Sequence, residues 1–243
     1  KLGKDIMNTE NKKIISWSLY DWGNSAYTTT VMAAFFPIFF EKYWSNPDDV
    51  IQSTYHLGIA ASTASLFIAV IAPFIGAIAD RGSTKKKFLF FFACIGALTT
   101  CALYFVGQGN WQLALLFYVI SSIGFMGSNT FYDSLLPSIA KKNRIDFVSS
   151  LGFSLGYIGG GLLFLLNVIM YLNPSWFGIV DPSIAIRLSF ITVGIWWMVF
   201  SVPLLLFVPE PINENSVPFI EAIGEGWNQL KETFYHIKEM KEI

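Results

Sequence analysis

The sequence predicts an all-α membrane protein: six transmembrane helices followed by an amphipathic helix along the cytoplasmic interface. Three observations predict it. Of 243 residues 53% are hydrophobic and only 14% charged, with a mean hydropathy of +0.51, whereas a soluble domain carries about 25% charged residues. Six stretches reach the ~20 mostly apolar residues that a bilayer-crossing helix needs. Lys and Arg gather in alternate gaps between those stretches.

Residues 1–14, beginning KLGKDIMNTENKK, form a polar N-terminal segment that lacks an initiating Met and a cleavable signal pattern, and so reads as trimmed. The transmembrane region, residues 15–211, holds spans at 15–40, 54–79, 88–107, 111–137, 147–172 and 184–208. The gaps EKYWSNPDD, DRGSTKKK, GQGNW, KKNRID and NPSWFGIVDP carry the charges, Gly, Pro and Asn that end helices. Residues 212–243 form the cytoplasmic connecting helix. Ile220, Ile223, Trp227, Leu230, Phe234 and Ile237 recur there at spacings of three and four, opposite a charged remainder. That stripe fits a helix on the lipid interface or one packed on further protein.

Fourteen of the 16 Lys and Arg fall on one side: Lys1, Lys4, Lys12, Lys13, then Arg81, Lys85, Lys86, Lys87, then Lys141, Lys142, Arg144, then Lys231, Lys238, Lys241. Only Lys42 and Arg187 fall on the other. The positive-inside rule therefore predicts that both ends of the chain are cytoplasmic. Trp17, Trp22, Trp44, Trp111 and Trp176 lie near span ends, as an aromatic belt would. A net charge of −1 gives no basis for a nucleic-acid partner. Cys94 and Cys101 read as buried small hydrophobes, since seven helical residues rise about 10 Å, too far for a disulfide.

Two helix faces carry small residues. Gly152, Gly156 and Gly160 recur every fourth residue in span five, and Ala61, Ser65 and Ala69 do so in span two, which lets helix backbones approach. The string Gly152-Phe153-Ser154-Leu155-Gly156 matches a hydrolase nucleophile elbow, but that motif needs a strand-to-helix turn and triad partners. The only histidines, His56 and His236, lie near opposite faces. With no phosphate loop, dinucleotide fingerprint or metal-ligand cluster, the sequence predicts no enzyme, cofactor or metal.

Polar groups inside the spans carry the functional signal, because hydrocarbon penalises them by several kcal/mol. In YDWGNSAY, Asp21 lies about seven residues, or about 10 Å, into span one. Asp21, Asn24, Ser25 and Thr28 share one helical face. Span four offers Ser122, Met126, Asn129 and Asp133 on one face, with Tyr132 beside it. Given the orientation, the two acids sit at similar depth. No Lys or Arg lies within those two helices to neutralise them. Such faces predict a wet cavity whose carboxylates can bind a cation or ammonium group, or take up a proton. Two plainer readings stand beside this. Asp21 can cap a helix that starts at Trp22, and Asp133 can pair with Lys141, Lys142 or Arg144.

The loop GAIADRGSTKKK resembles the major facilitator superfamily signature G-x-L-a-D-R-x-G-R-K, carried here by Gly76, Ile78, Asp80, Arg81, Lys85 and Lys86. Ser83 stands where the second glycine belongs, Thr84 where the first basic residue belongs, and Gly82 comes one residue early. The blocks YDWGNSAY, FYDSLLP, SLGYIGGG and WWMVFSVPLLLFVPEP together resemble the vacuole-effluxer branch, which includes autophagy-related vacuolar amino-acid exporters. Asp133 departs from that branch, where Asn is common. The resemblance spans residues 15–211 and implies one six-helix half of a transporter, built from two inverted three-helix repeats. The other half would be a missing C-terminal segment or a partner. It also implies that Asp80 serves the cytoplasmic gate, and that the first and fourth helices line the substrate path.

The expectation is then a secondary active transporter working by alternating access. It moves a small polar metabolite, amino acids foremost, across a bilayer: the bacterial inner membrane, or the vacuolar membrane if the protein is fungal. The cavity residues expected are Tyr20, Asp21, Asn24 and Tyr27 from span one, and Asn129, Tyr132 and Asp133 from span four. Asp21 and Asp133 are the candidates for proton coupling. The alternative is a non-transporting membrane receptor or assembly subunit whose tail helix recruits partners.

Overall fold

Long apolar runs fold as helices, and the chain turns where Gly, Pro and charge interrupt them. A computed structural model describes residues 2–213, 217–218, 220–224, 227–228 and 231, with side chains from Glu10 onward. Helix α1 (Leu2–Ala26) passes without a break into a π-helix (Tyr27–Phe35), a short α2 (Phe36–Phe39) and a second π segment (Phe40–Trp44). Then come α3 (Val50–Gly82), α4 (Lys85–Ala102), α5 (Trp111–Ile139), α6 (Ile145–Leu172) and α7 (Pro182–Phe207).

Five of these stretches are long and apolar enough to cross a membrane by length and composition: α3, α4 extended to Phe105, α5, α6 counted from Lys142, and α7. The first stretch is not among them. The apolar residues of the predicted span 15–40 are divided between the end of α1 and the π segments. The helix also begins well before residue 15, in sequence polar enough to read as a tail.

Helix ends follow capping chemistry. Asp49 accepts the Gln52 N–H at 2.9 Å, and Asp181 accepts the Ser183 N–H at 2.9 Å with Pro182 in the first turn. Thr84 makes no such bond for α4. Glu210, from beyond α7, accepts the Lys86 N–H at 3.0 Å, while the Lys86 ammonium donates to the Val208 carbonyl at 2.6 Å.

The main packings are α1 on α6 and α7, α4 on α5 and α7, and α3 on α5. Close approach depends on small residues, as expected where lipid offers no hydrophobic drive between helices. A methyl group at Gly124 would stand 2.5 Å from the Gly96 Cα, and one at Gly194 would stand 2.7 Å from the Ala97 carbonyl oxygen. In α3 Ala60 and Ala64 are buried, one register from the predicted Ala61–Ser65–Ala69 face, which lies half-buried to exposed. Trp17 and Trp44 also differ from expectation. They are fully enclosed, each with its indole N–H bonded to a carbonyl (Tyr132 and Val106), and they anchor the aromatic core rather than a belt.

Among the described tail residues, Ala222 is buried, the Val217 N–H reaches the Arg81 carbonyl at 3.2 Å, and the Trp227 ring meets Phe74 edge-on at 5.8 Å. Leu230, Phe234, His236 and Ile237 lie outside the described residues.

Candidate functional site

Asp21 and Asp133 line one cavity of about 350 Å³. The helical stretch begun by α1 supplies Asp21, Ser25, Thr28 and Thr29. Asp21, Ser25 and Thr28 stand at i, i+4 and i+7. The wider turn of the π-helix that starts at Tyr27 keeps Thr29 beside them. From α5 come Phe125, Asn129, Tyr132 and Asp133, again on one face, and from α6 come Phe153 and Tyr157, one turn apart.

Asp21 sits inside α1 and is not an N-cap. Its Oδ1 accepts the Ser25 hydroxyl at 2.8 Å. Asp133 is exposed and, among the described residues, has no hydrogen bond or ion pair. The basic residues that could have neutralised it do not: Arg144 pairs with Glu10 at 3.5 Å, and Lys141 and Lys142 are exposed. None of the residues lining the cavity is Lys or Arg.

Tyr20, Asn24 and Tyr27 are placed differently from the sequence expectation. They are enclosed within the bundle, behind the cavity lining. The Asn24 amide donates to the Asn129 side-chain carbonyl, the Tyr27 hydroxyl lies 2.7 Å from Ser121 Oγ and 3.0 Å from Ser122 Oγ, and the Tyr20 hydroxyl accepts the Trp197 indole N–H at 3.3 Å. These bonds satisfy polar groups that would otherwise be costly in a buried position, and they hold α1 to α5 and α7. Tyr132 bridges both settings. Trp17 stacks on its ring at 4.2 Å, and its hydroxyl is buried with no partner among the described residues.

The glycines of α6 set the distance to α1. A methyl group at Gly152 would stand 2.8 Å from the Trp17 ring, one at Gly156 would stand 2.6 Å from Ser25 Oγ, and one at Gly160 would stand 2.9 Å from the Ser25 backbone. Ser154 lies mid-helix, donating to the Ser150 carbonyl at 2.8 Å, which is not the turn a nucleophile elbow requires.

The charged signature lies at the α3–α4 turn, apart from the cavity lining. Asp80 and Lys85 form an ion pair at 2.7 Å, Lys86 holds the chain leaving α7, the Arg81 carbonyl receives the Val217 N–H, and Gly76 faces open space. Sequence reasoning did not find Thr29, Phe125, Phe153 or Tyr157 as cavity residues. In α6 the i, i+4 aromatic pair was the available signal, but inside an apolar run it reads as lipid-facing.

A family model described as "Vacuole effluxer Atg22 like" matches residues 50–146 and 141–243. The chain belongs to that family. YDWGNSAY lies before the matched residues of this effluxer family, whereas the other three blocks fall within them. The chain is 35% identical to a Bacillus subtilis protein named "Uncharacterized MFS-type transporter YxiO", over 98% of this chain and 56% of that protein. It is 25% identical to an "Uncharacterized protein" of Aquifex aeolicus, over 88% of this chain and 50% of that protein. It is 22% identical to "Autophagy-related protein 22" of Eremothecium gossypii, over 99% of this chain and 55% of that protein. The chain thus spans about half the length of the curated relatives it matches. No solved structure matches it.

Proposed function

We propose that this chain supplies a six-helix half of a secondary active transporter. It works by alternating access and moves a small polar metabolite, amino acids foremost. The observation that carries the reading is the cavity between α1, α5 and α6: two carboxylates, hydroxyls and an amide face it, and no basic residue lines it among the described residues. Hydrocarbon does not tolerate such a surface, but a water-filled path requires one. Its volume of about 350 Å³ falls in the range of small-molecule sites, about 300–1,000 Å³.

Helix pairing supports the two inverted three-helix repeats that transporters of this kind use. Take α1, α3 and α4 as one set and α5, α6 and α7 as the other. Exchanging the sets turns the α1–α6 packing into α5–α3 and the α1–α7 packing into α5–α4, and returns α4–α7 to itself, so the five main packings are reproduced. The helical stretch from Leu2 to Trp44 is then the sixth span. In this reading both ends of the chain are cytoplasmic, Asp80–Lys85 belongs to the cytoplasmic gate, and a second half faces α3 and α6. Asp21 and Asp133 couple the cycle to protons.

The test is amino-acid counterflow by the full-length protein in proteoliposomes, with and without an imposed pH gradient. The reading expects saturable exchange of at least one amino acid, reduced about tenfold or more by Asp21→Asn, as for loss of a charge-assisted contact. Flux no greater than in protein-free liposomes would contradict it. Flux indifferent to the pH gradient and to Asp21→Asn and Asp133→Asn would remove the proton-coupling role.

A further inference from the structure

The cavity holds more negative charge than binding of a neutral solute needs. Asp21 on α1 and Asp133 on α5 face the same space from two walls, and Asp133 makes no hydrogen bond or ion pair among the described residues. Among the described residues only Oδ1 of Asp21 is engaged, by Ser25, and no bond is made to its second oxygen. A second, independent feature points to a ligand. Tyr132 lines the cavity, is 5% exposed, and has a buried hydroxyl with no partner among the described residues. Native proteins rarely leave such a group unsatisfied unless a water or ligand supplies the bond.

The α6 wall is aromatic, and α5 adds two more rings. Phe125, Tyr132, Phe153 and Tyr157 all line the cavity, and ring faces attract organic cations. Two carboxylates and four rings with no guanidinium or ammonium among them suit a protonated amine. They repel a carboxylate that brings no compensating charge.

We infer that the cavity selects solutes carrying net positive charge on protonated amines, with Asp21 and Asp133 sharing that charge from two walls and the rings enclosing the carbon chain. The inference rests on the transport reading and names its substrate class. An amino acid with a cationic side chain meets both acids, whereas a neutral one leaves a carboxylate without a partner, and an anionic one is excluded.

Ornithine and citrulline test this, because their side chains are of similar length and differ in charge. Counterflow by the full-length protein in proteoliposomes is expected to favour ornithine over citrulline by about tenfold or more, with Asp133→Asn removing most of that preference. Citrulline exchanged as fast as ornithine, or a preference unchanged by both Asp133→Asn and Asp21→Asn, would overturn the inference and leave the transport reading standing. No flux of any amino acid, by protein that still melts cooperatively, would overturn the transport reading and the inference with it.

Discussion

Gly156 of α6 lies against Asp21 of α1, so that a methyl group added at Gly156 would stand 2.8 Å from Oδ1 of the carboxylate. The glycine face therefore does more than pack two helices. It fixes how far Asp21 and Ser25 can project into the cavity.

Gly156→Ala is accordingly expected to displace Asp21 and Ser25, costing about 1–3 kcal/mol from overpacking and reducing solute exchange. Gly161→Ala is the control, since none of the described residues lies within 4 Å of its added methyl group. It is expected to leave exchange intact and to gain up to about 1 kcal/mol in helix propensity. Thermal melting and counterflow of the two full-length variants check both effects.

Asn24, buried, and Asn129, half-buried at the cavity, form an amide bridge between α1 and α5. Asn129→Leu strands the Asn24 amide and is expected to cost about 1–3 kcal/mol, while adding Asn24→Leu recovers part of that loss. A double-mutant cycle by melting measures the coupling. Strictly additive losses would remove the bridge from the account.

Ser83 ends α3 with φ of +49°, the only non-glycine residue with positive φ among the described residues, and it stands where the signature motif places glycine. Ser83→Gly and Ser83→Ala both delete the oxygen that accepts the Asn213 N–H at 2.9 Å. The difference between them isolates the backbone. Ser83→Gly is expected to be more stable than Ser83→Ala by about 1 kcal/mol, read as a higher melting temperature.

Asp181 caps α7, and bonds from the Ser183 hydroxyl and N–H hold its carboxyl below the usual carboxylate range. A pKa depressed on folding adds stability above the unfolded value of about 3.9, and that stability is lost as pH falls through the folded value. Asp181→Ala is therefore expected to melt below the wild type at neutral pH, with the gap narrowing only under acid conditions below about pH 4. A gap independent of pH would assign the effect to something other than the ionised cap.

Composition and charge spacing made much of this legible. The apolar runs predicted the later helices to within a few residues, and the Asp21 and Asp133 stripes pointed to two of the three helices that line the cavity. Helical periodicity groups residues on a face but does not say which edge of that face turns inward. Asn24 shares Asp21's face and yet bonds sideways to Asn129. Tyr20 and Tyr27 look amphipathic enough for a cavity, but their hydroxyls find partners inside the bundle. The α-to-π change at Tyr27 alters the register among Thr28, Thr29 and Thr30, and an α-helical projection cannot anticipate it. Trp17 and Trp44 lie near predicted span ends, where either a belt or a core position fits. Their indole bonds to Tyr132 and Val106 decide for the core.

Transport through this chain requires that water and solute reach the space between α1, α5 and α6. Thr28 lines that space and is exposed, while Thr30, two residues on, is fully buried. Single cysteines at the two positions can be compared in a full-length background with Cys94 and Cys101 replaced by Ser, by labelling with a hydrophilic thiol reagent. Thr28→Cys is expected to react and Thr30→Cys not to, and a transported amino acid is expected to slow the Thr28→Cys reaction. Equal labelling at both positions, or an inert Thr28→Cys, would contradict it.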